Sequence, residues 1–276
     1  MISGLLCDLD GVVYRGDQAC AGAVEGLRSA RDAGVDVLFM TNNASRTPET
    51  VARHLTDLGV RAEEHEILTA SQVAAEVLGE EHPQLLGSAP VLAVGGEGVA
   101  RALRDAGFAV ISPEEMAAAA EQDGAPEVGA VVQGYGPRLG VTDLTEAAYA
   151  VRSGVPWIAT NDDATLPTAR GLAPGNGSLV AAVAHATQRR PRVVGKPHRP
   201  AYVVGLRRLG HPREQTLMVG DRLETDIAGA RAAGLPSALV LTGVSDRAEA
   251  EAAPDDQRPD HVASTLLDLA GLWGAT

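Results

Sequence analysis

Four short runs in this 276-residue sequence hold residue types able to do chemistry, and each directly follows an apolar run. The first is DLDGVV, Asp8 to Val13, with two carboxylates two positions apart and then Gly11. Ligands collect at the carboxyl ends of parallel strands, which is where this run would lie. Asp-x-Asp-Gly is also ordinary turn chemistry, so alone it decides nothing. The second, TNN, Thr41 to Asn43, offers a hydroxyl and backbone N–H groups that can grip phosphate oxygens, or simply a strand-to-helix turn. The third is GKP, Gly195 to Pro197, a lysine held between residues unsuited to the interior of a helix or strand. An exposed loop lysine reads the same way. The fourth is VGDRLETDI, Val219 to Ile227, with Asp221 at the end of an apolar run and Asp226 five positions on. Acids near the positive end of a helix give the same pattern. Taken together, acids, a hydroxyl and a lysine at the strand ends of one sheet meet the needs of magnesium-assisted phosphoryl transfer. That reaction asks mainly for positioning and charge neutralisation. Mg²⁺ takes hard oxygen ligands and keeps several waters, so two carboxylates and a carbonyl suffice.

The elements that must position these residues are strands alternating with helices, the pattern of a parallel α/β sheet. Strand-like runs cover Leu5–Cys7, Val35–Met40, Val91–Val94, Val128–Val132, Trp157–Ala159, Arg192–Val194, Thr216–Val219 and Ala238–Leu241. One helix is predicted from Thr47, an N-cap type followed by Pro48, to about Gly59. Another is predicted over Asp226–Ala233, with Gly234 as its left-handed stop. Gly79–Pro90 is polar and turn-rich, and a second soft seam lies at Gln188–Pro191. The fold expected is therefore α/β, a Rossmann-like parallel-sheet core over 1–79 and 189–276 with a second α/β domain, 80–188, inserted as a cap. Residues 245–260 are acidic and contain proline, and read as a solvated stretch before a last short helix.

Composition narrows the partners. The apolar fraction is 45% with only 3% aromatics, so the core must be built mainly from Ala, Val and Leu. A formal charge of −13 repels nucleic acid and anionic membranes, and both are set aside. It repels a phosphorylated substrate too, so a phosphate site needs its own local cations. Cys7 and Cys20 have no partner at zinc or CxxC spacing, and Cys7 reads as a small core residue. The seven histidines are scattered, with no ligand pair among them. MISGLLCDLDG does not have the pattern of a signal peptide, and no long apolar run follows, so a soluble cytoplasmic protein is expected.

The ordered set DLDG, TNN, GKP and GDRLETD resembles the haloacid dehalogenase superfamily, and within it the nitrophenylphosphatase (NagD-like) branch. That branch carries its cap between the second and third motifs, where this sequence has its long insertion. The resemblance runs over nearly the whole chain. It implies that Asp8 is the nucleophile that becomes an aspartyl-phosphate, and that Asp10 is the general acid and base. It also implies that Asp8, the Asp10 carbonyl and Asp221 hold Mg²⁺, with Asp226 as an anchor behind them. Thr41 and the Asn42 and Asn43 amides would hold phosphate oxygens, and Lys196 would offset negative charge. A dehalogenase reaction, with no leaving alkoxide to protonate, has no use for Asp10 and Mg²⁺ together.

Two readings from other classes compete. A phospho-receiver also gathers acids, Thr and Lys around Mg²⁺, but takes its phosphoacceptor acid from a middle strand. Here the run ending at Met40 offers Thr41 and no acid, and a receiver has no such insert. A nucleotide-binding module would use VGGEGVAR, Val94 to Arg101, yet Arg101 stands where the third glycine belongs and no Walker lysine follows. It reads as a tight strand–helix turn of the cap. The substrate implied is a small phosphorylated metabolite. Vitamin B6 phosphatases of the branch have a histidine before the proline of the loop 164–167, where Leu166 stands here. TLPTARGLAPGNGS is similar to the matching run of glycerol 3-phosphate phosphatases from high-GC bacteria, which makes glycerol 3-phosphate the substrate expected and phosphoglycolate or a broad range of nitrophenyl-type esters the alternative. Arg170 is a further candidate to meet it. A homodimer through the cap follows from the same resemblance.

Overall fold

Apolar runs of strand length pair into two parallel sheets in the computed structural model, which describes residues 1–122, 124–168 and 170–274. The chain divides into two units, and each has its own sheet.

The first unit comprises Met1–Thr41, Pro48–Leu68 and Lys196–Thr276. Across its sheet the strands run His261–Ala263, Ser237–Val240, Thr216–Gly220, Gly4–Asp8, Asp36–Thr41 and Ile67–Thr69. The central strand Gly4–Asp8 is buried at every position and pairs in parallel with both neighbours. Strands covered on both faces become continuous apolar runs rather than alternating ones, which is why GLLCD and TLMVG read as they do. Leu5, Cys7, Phe39, Leu217, Val219 and Trp273 close one core against this sheet. Register then decides where the chemistry falls. Cys7 lies opposite Val219 and Asp8 opposite Met40, so Asp8, Thr41 and Asp221 come out at one edge of the sheet.

One segment differs from expectation. The helix predicted from Asp226 begins instead as a wide π-helical turn, Leu223–Ile227, before the regular helix Ala228–Ala233. The N–H of Ile227 reaches back five residues to the Arg222 carbonyl, and Asp226 is held by its side chain, as described below. Gly234 stops the helix at φ 74°, as its type requires. The acidic stretch 245–260 is ordered by its own caps. Asp246 accepts from the Glu249 N–H and starts the helix Arg247–Ala252, and Ala250 and Ala253 are buried before the edge strand His261–Ala263.

The second unit comprises Asn42–Thr47 and Thr69–Gly195. Its sheet runs Val110–Ile111, Val91–Val94, Ala130–Gln133, Trp157–Ala159 and Arg192–Val193, all parallel. Leu92, Val94, Val131, Trp157, Val180 and Val183 form its core. A hairpin pairs Thr165–Thr168 with Gly171–Pro174, and Ala169 of the TLPTARGLAP run lies outside the described residues. The expected seams at 79/80 and 188/189 both fall inside this unit. The helix Ala70–Glu81 goes with it because its apolar face packs on the helix Glu97–Asp105 and the strand Trp157–Ala159. Gly95 and Gly96 make the tight turn expected between Val94 and that helix. Among the described residues no helix is long and apolar enough to cross a membrane.

Candidate active site

Asp8 lies more than 200 residues from Asp221 and Asp226, yet one carboxylate oxygen of each lies within 4.8 Å of the others. Asp8 ends the strand Gly4–Asp8, Asp221 follows the strand Thr216–Gly220, and Asp226 sits in the π-helical turn. Their burial differs in a useful way: Asp226 is 0% exposed, Asp221 1% and Asp8 7%. Asp8 is thus the acid of the three with most access from outside.

Lys196 completes the group. Its Nζ donates to Asp8 Oδ1 at 2.5 Å and to Asp226 Oδ1 at 2.7 Å, while the residue is only 4% exposed. Three carboxylates against one ammonium leave two negative charges in a buried place. Burial opposes the lysine's charge, but Asp226 and Asp8 outweigh it and hold the ammonium protonated well above its ordinary range. Burial pushes the Asp8 carboxyl well up; Lys196 pulls it back, and Asp226 and Asp221 push it up again. Asp221 is raised to about 6, by burial first and then by Asp226.

These are the properties of a divalent-cation site. Asp221 Oδ2 accepts the Val244 N–H at 2.8 Å, whereas its Oδ1 is buried without a protein partner. A buried acceptor left unmet calls for a ligand. A divalent ion beside Asp8 and Asp221 would meet it and bring the local charge to zero, with the oxygen donors magnesium prefers. Asp226 is already used on both oxygens, by Lys196 and by the Arg222 N–H at 3.2 Å, which fits an anchoring position.

The other expected residues fall as follows. Thr41 ends the strand Asp36–Thr41 and is buried. Asn42 and Asn43 belong to the second unit, where the Asn42 carbonyl accepts from Asn161 Nδ2 at 2.8 Å and Asn43 Oδ1 accepts from the Ser45 N–H at 2.9 Å. Asp10 is exposed, and its carboxylate does not join the three gathered acids. Arg170 is exposed.

Sequence reasoning missed three supports. A Cβ on Gly11, which has φ 85°, would lie 2.2 Å from Asp221 Oδ2, and one on Gly243 would lie 2.0 Å from Asp221 Cβ. Two stretches of bare backbone therefore close on one carboxylate. The third is Tyr202, fully buried, whose hydroxyl donates to the Thr225 carbonyl at 2.8 Å and lies 3.2 Å from that of Asp226. Burial, then Asp226, keeps that phenol protonated well above its usual range. DLDG flagged Gly11 as a turn residue, but a tyrosine on an apolar helix face gives no sign of such a role.

Comparison with known proteins agrees with this geometry. Residues 5–109 match the model of the haloacid dehalogenase-like hydrolases, and residues 193–269 match a second model described as HAD-hydrolase-like. The D-glycerol 3-phosphate phosphatase of Mycobacterium tuberculosis is 45% identical over 265 residues, covering 96% of this chain and 70% of that protein. A 5′-nucleotidase of Bacillus subtilis is 34% identical, covering 96% of each. A crystal structure of a glycerol phosphate phosphatase from Mycobacterium tuberculosis in complex with magnesium superposes with a TM-score of 0.86 at 42% identity, over 99% of this chain and 78% of the other. With family matches on both sides of the insert and relatives of this identity along nearly its full length, the chain belongs to the haloacid dehalogenase-like hydrolases.

Proposed function

We propose that this protein is a Mg²⁺-dependent phosphomonoesterase for a small phosphorylated metabolite, with glycerol 3-phosphate as its substrate. The observation that carries the reading is Lys196 bridging Asp8 and Asp226 beside an Asp221 oxygen with no protein partner. Asp8 attacks phosphorus, its own C–O–P bond forming as the bond to the alcohol oxygen breaks, which gives an aspartyl-phosphate. Asp10 protonates the departing oxygen and then takes a proton from the water that cleaves the acyl phosphate. The exposure of Asp10 suits a group that must trade protons with solvent. Thr41 and the Asn42 and Asn43 amides hold phosphate oxygens, and Lys196 stays charged to offset the carboxylate and phosphate. Asp8, Asp221 and the Asp10 carbonyl would hold Mg²⁺, which would supply charge neutralisation for the transferred phosphoryl group. The core of this machinery lies in the first unit, and the inserted cap selects the substrate.

The likeness to the glycerol 3-phosphate phosphatase supports the substrate, and Arg170, exposed on the hairpin turn, is a candidate contact for it. A homodimer through the second unit would have exposed apolar side chains to cover there, among them Val141, Tyr149 and Leu172. Two free thiols suit a reducing cytoplasm. The test is phosphate release from a panel holding glycerol 3-phosphate, phosphoglycolate, nucleoside 5′-monophosphates and nitrophenyl phosphate, with and without Mg²⁺. Glycerol 3-phosphate should lead, and chelation should stop turnover. Release from no ester with Mg²⁺ present overturns the phosphatase, and a low rank for glycerol 3-phosphate overturns the substrate.

A further inference from the structure

We infer that Asn161 is a positioning residue for phosphoryl transfer: it fixes, from within the second unit, the backbone that follows Thr41 and the backbone that precedes Lys196. The inference rests on the phosphatase reading above. Asn161 is 3% exposed, and every polar atom of its side chain is engaged. Its Nδ2 donates to the Asn42 carbonyl at 2.8 Å, and its Oδ1 accepts the Asp163 N–H at 3.2 Å. Its own carbonyl accepts from Asn176 Nδ2 at 2.7 Å. Asn42 Nδ2 answers by donating toward the Asp163 carboxylate at 3.3 Å. Asn42 follows Thr41, and its carbonyl shares a planar peptide with the Asn43 N–H, so whatever holds that carbonyl also orients one of the amides assigned to phosphate.

The same knot meets the other motif. A Cβ on Gly195 would lie 2.2 Å from the Thr160 carbonyl, 2.8 Å from Asn42 Oδ1 and 3.3 Å from Asn161 Cβ. The residue before Lys196 therefore lies directly against Asn42 and Asn161, and only a glycine fits there. The knot is braced from behind. Cβ atoms on Gly175 and Gly177 would sit 2.3 Å from the Asp163 carbonyl and 2.2 Å from the Asp162 carbonyl. A side chain this enclosed, bonded to a carbonyl one residue from the reacting groups, is built to hold geometry. Nothing about it suggests contact with substrate.

Asn161→Asp tests this, because it keeps the shape and the acceptor for the Asp163 N–H but removes the donor to Asn42. Ser178→Ala is the control: it removes a 2.7 Å bond to the Ala164 carbonyl on the far side of the same knot. Asn161→Asp should lower kcat about tenfold to a hundredfold, as small displacements of positioned groups do, with Mg²⁺ affinity unchanged. Amide hydrogen exchange at Asn42 and Asn43 should rise about tenfold, while Ser178→Ala leaves both readouts at wild-type values. Wild-type kcat and exchange in Asn161→Asp overturn the inference, as does an equal loss in Ser178→Ala. Should Asn161→Asp not fold, Asn161→Ser is read in the same way. If the wild-type protein releases no phosphate, the phosphatase reading fails, and exchange at Asn42 and Asn43 still decides the positioning.

Discussion

The chain builds two doubly wound parallel sheets and treats their carboxyl ends in opposite ways. In the first unit the order, counted along the chain, is 3-2-1-4-5-6, and the reversal lies between Gly4–Asp8 and Thr216–Gly220. In the second it is 2-1-3-4-5, with the reversal between Val91–Val94 and Ala130–Gln133. Both orders open a crevice at the reversal where ligands bind. The first crevice is lined by Asp8 and Asp221. The second is met by Gly95, Gly96, Gly134 and Gly136, and the chain's own segment 44–46 packs against it. Cβ atoms on Gly96 and Gly98 would lie 2.8 Å from the Ser45 carbonyl and 2.5 Å from the Ala44 and Arg46 carbonyls. The Gly98 N–H also donates to Ser45 at 3.2 Å. One switch point is kept charged for an ion, and the other has become a seat for backbone. Fold order tells where a site can be, and the residue types there tell whether one exists.

The contrast can be broken most severely at Asp8. Asp8→Asn should reduce kcat by at least about a thousandfold, the scale expected for loss of a nucleophile. Steady-state phosphate release measures it, and a near-normal rate would move the chemistry elsewhere. A smaller effect sharpens the role of Asp221. Its pKa, raised from 3.8 to about 6, means the ion must displace a proton at lower pH. Apparent Mg²⁺ affinity should therefore fall about tenfold per pH unit below 6 and level off above it. Isothermal titration at pH 5, 6 and 7.5 would see this, and a flat profile would remove Asp221 from the ion. The same shift makes the metal-free protein lose stability as pH rises from 3.8 to 6, since the folded state binds the proton more tightly. The smallest effect belongs to the second sheet. Thr160 Oγ1 is as buried and unpartnered as Asp221 Oδ1, but it is neutral. Thr160→Val should change stability by less than about 1 kcal/mol and leave turnover alone, because an unmet hydroxyl contributes nothing when kept. Urea denaturation and a rate assay would show it, and a large loss of turnover would mean that this second edge is chemical after all.

Much of this was legible before any coordinates. The strands Val91–Val94 and Trp157–Ala159 begin and end where their apolar runs do, and the others differ by one or two residues. Asp8 and Asp221 could be grouped because each ends or follows a fully buried strand, which fixes its height on the sheet, whereas Asp226 and Lys196 were joined to them only by the order of the motifs. What could not be read depends on contacts between distant segments. The Gly243 approach to Asp221, the Tyr202 bond to Thr225 and the grip of Asn161 on Asn42 leave no periodicity. The seam near residue 69 was hidden for a related reason. The helix Ala70–Glu81 has the same composition whichever sheet it covers, and only packing assigns it.

Tyr202 gives Lys196 and Asp226 a second fastening. The ammonium and carboxylate meet at their tips, while the helix that begins three residues after Lys196 grips the Thr225 carbonyl through the phenol, with Gly229 leaving room for the ring. Pinned at tip and base, the two segments would stay together if the lysine lost its charge. Replacing that lysine with a neutral chain would then leave three carboxylates in place and facing one another, so its harm would come from unbalanced charge with the architecture intact. In this respect the phenol works as a keystone, bearing on the arch without standing in the doorway.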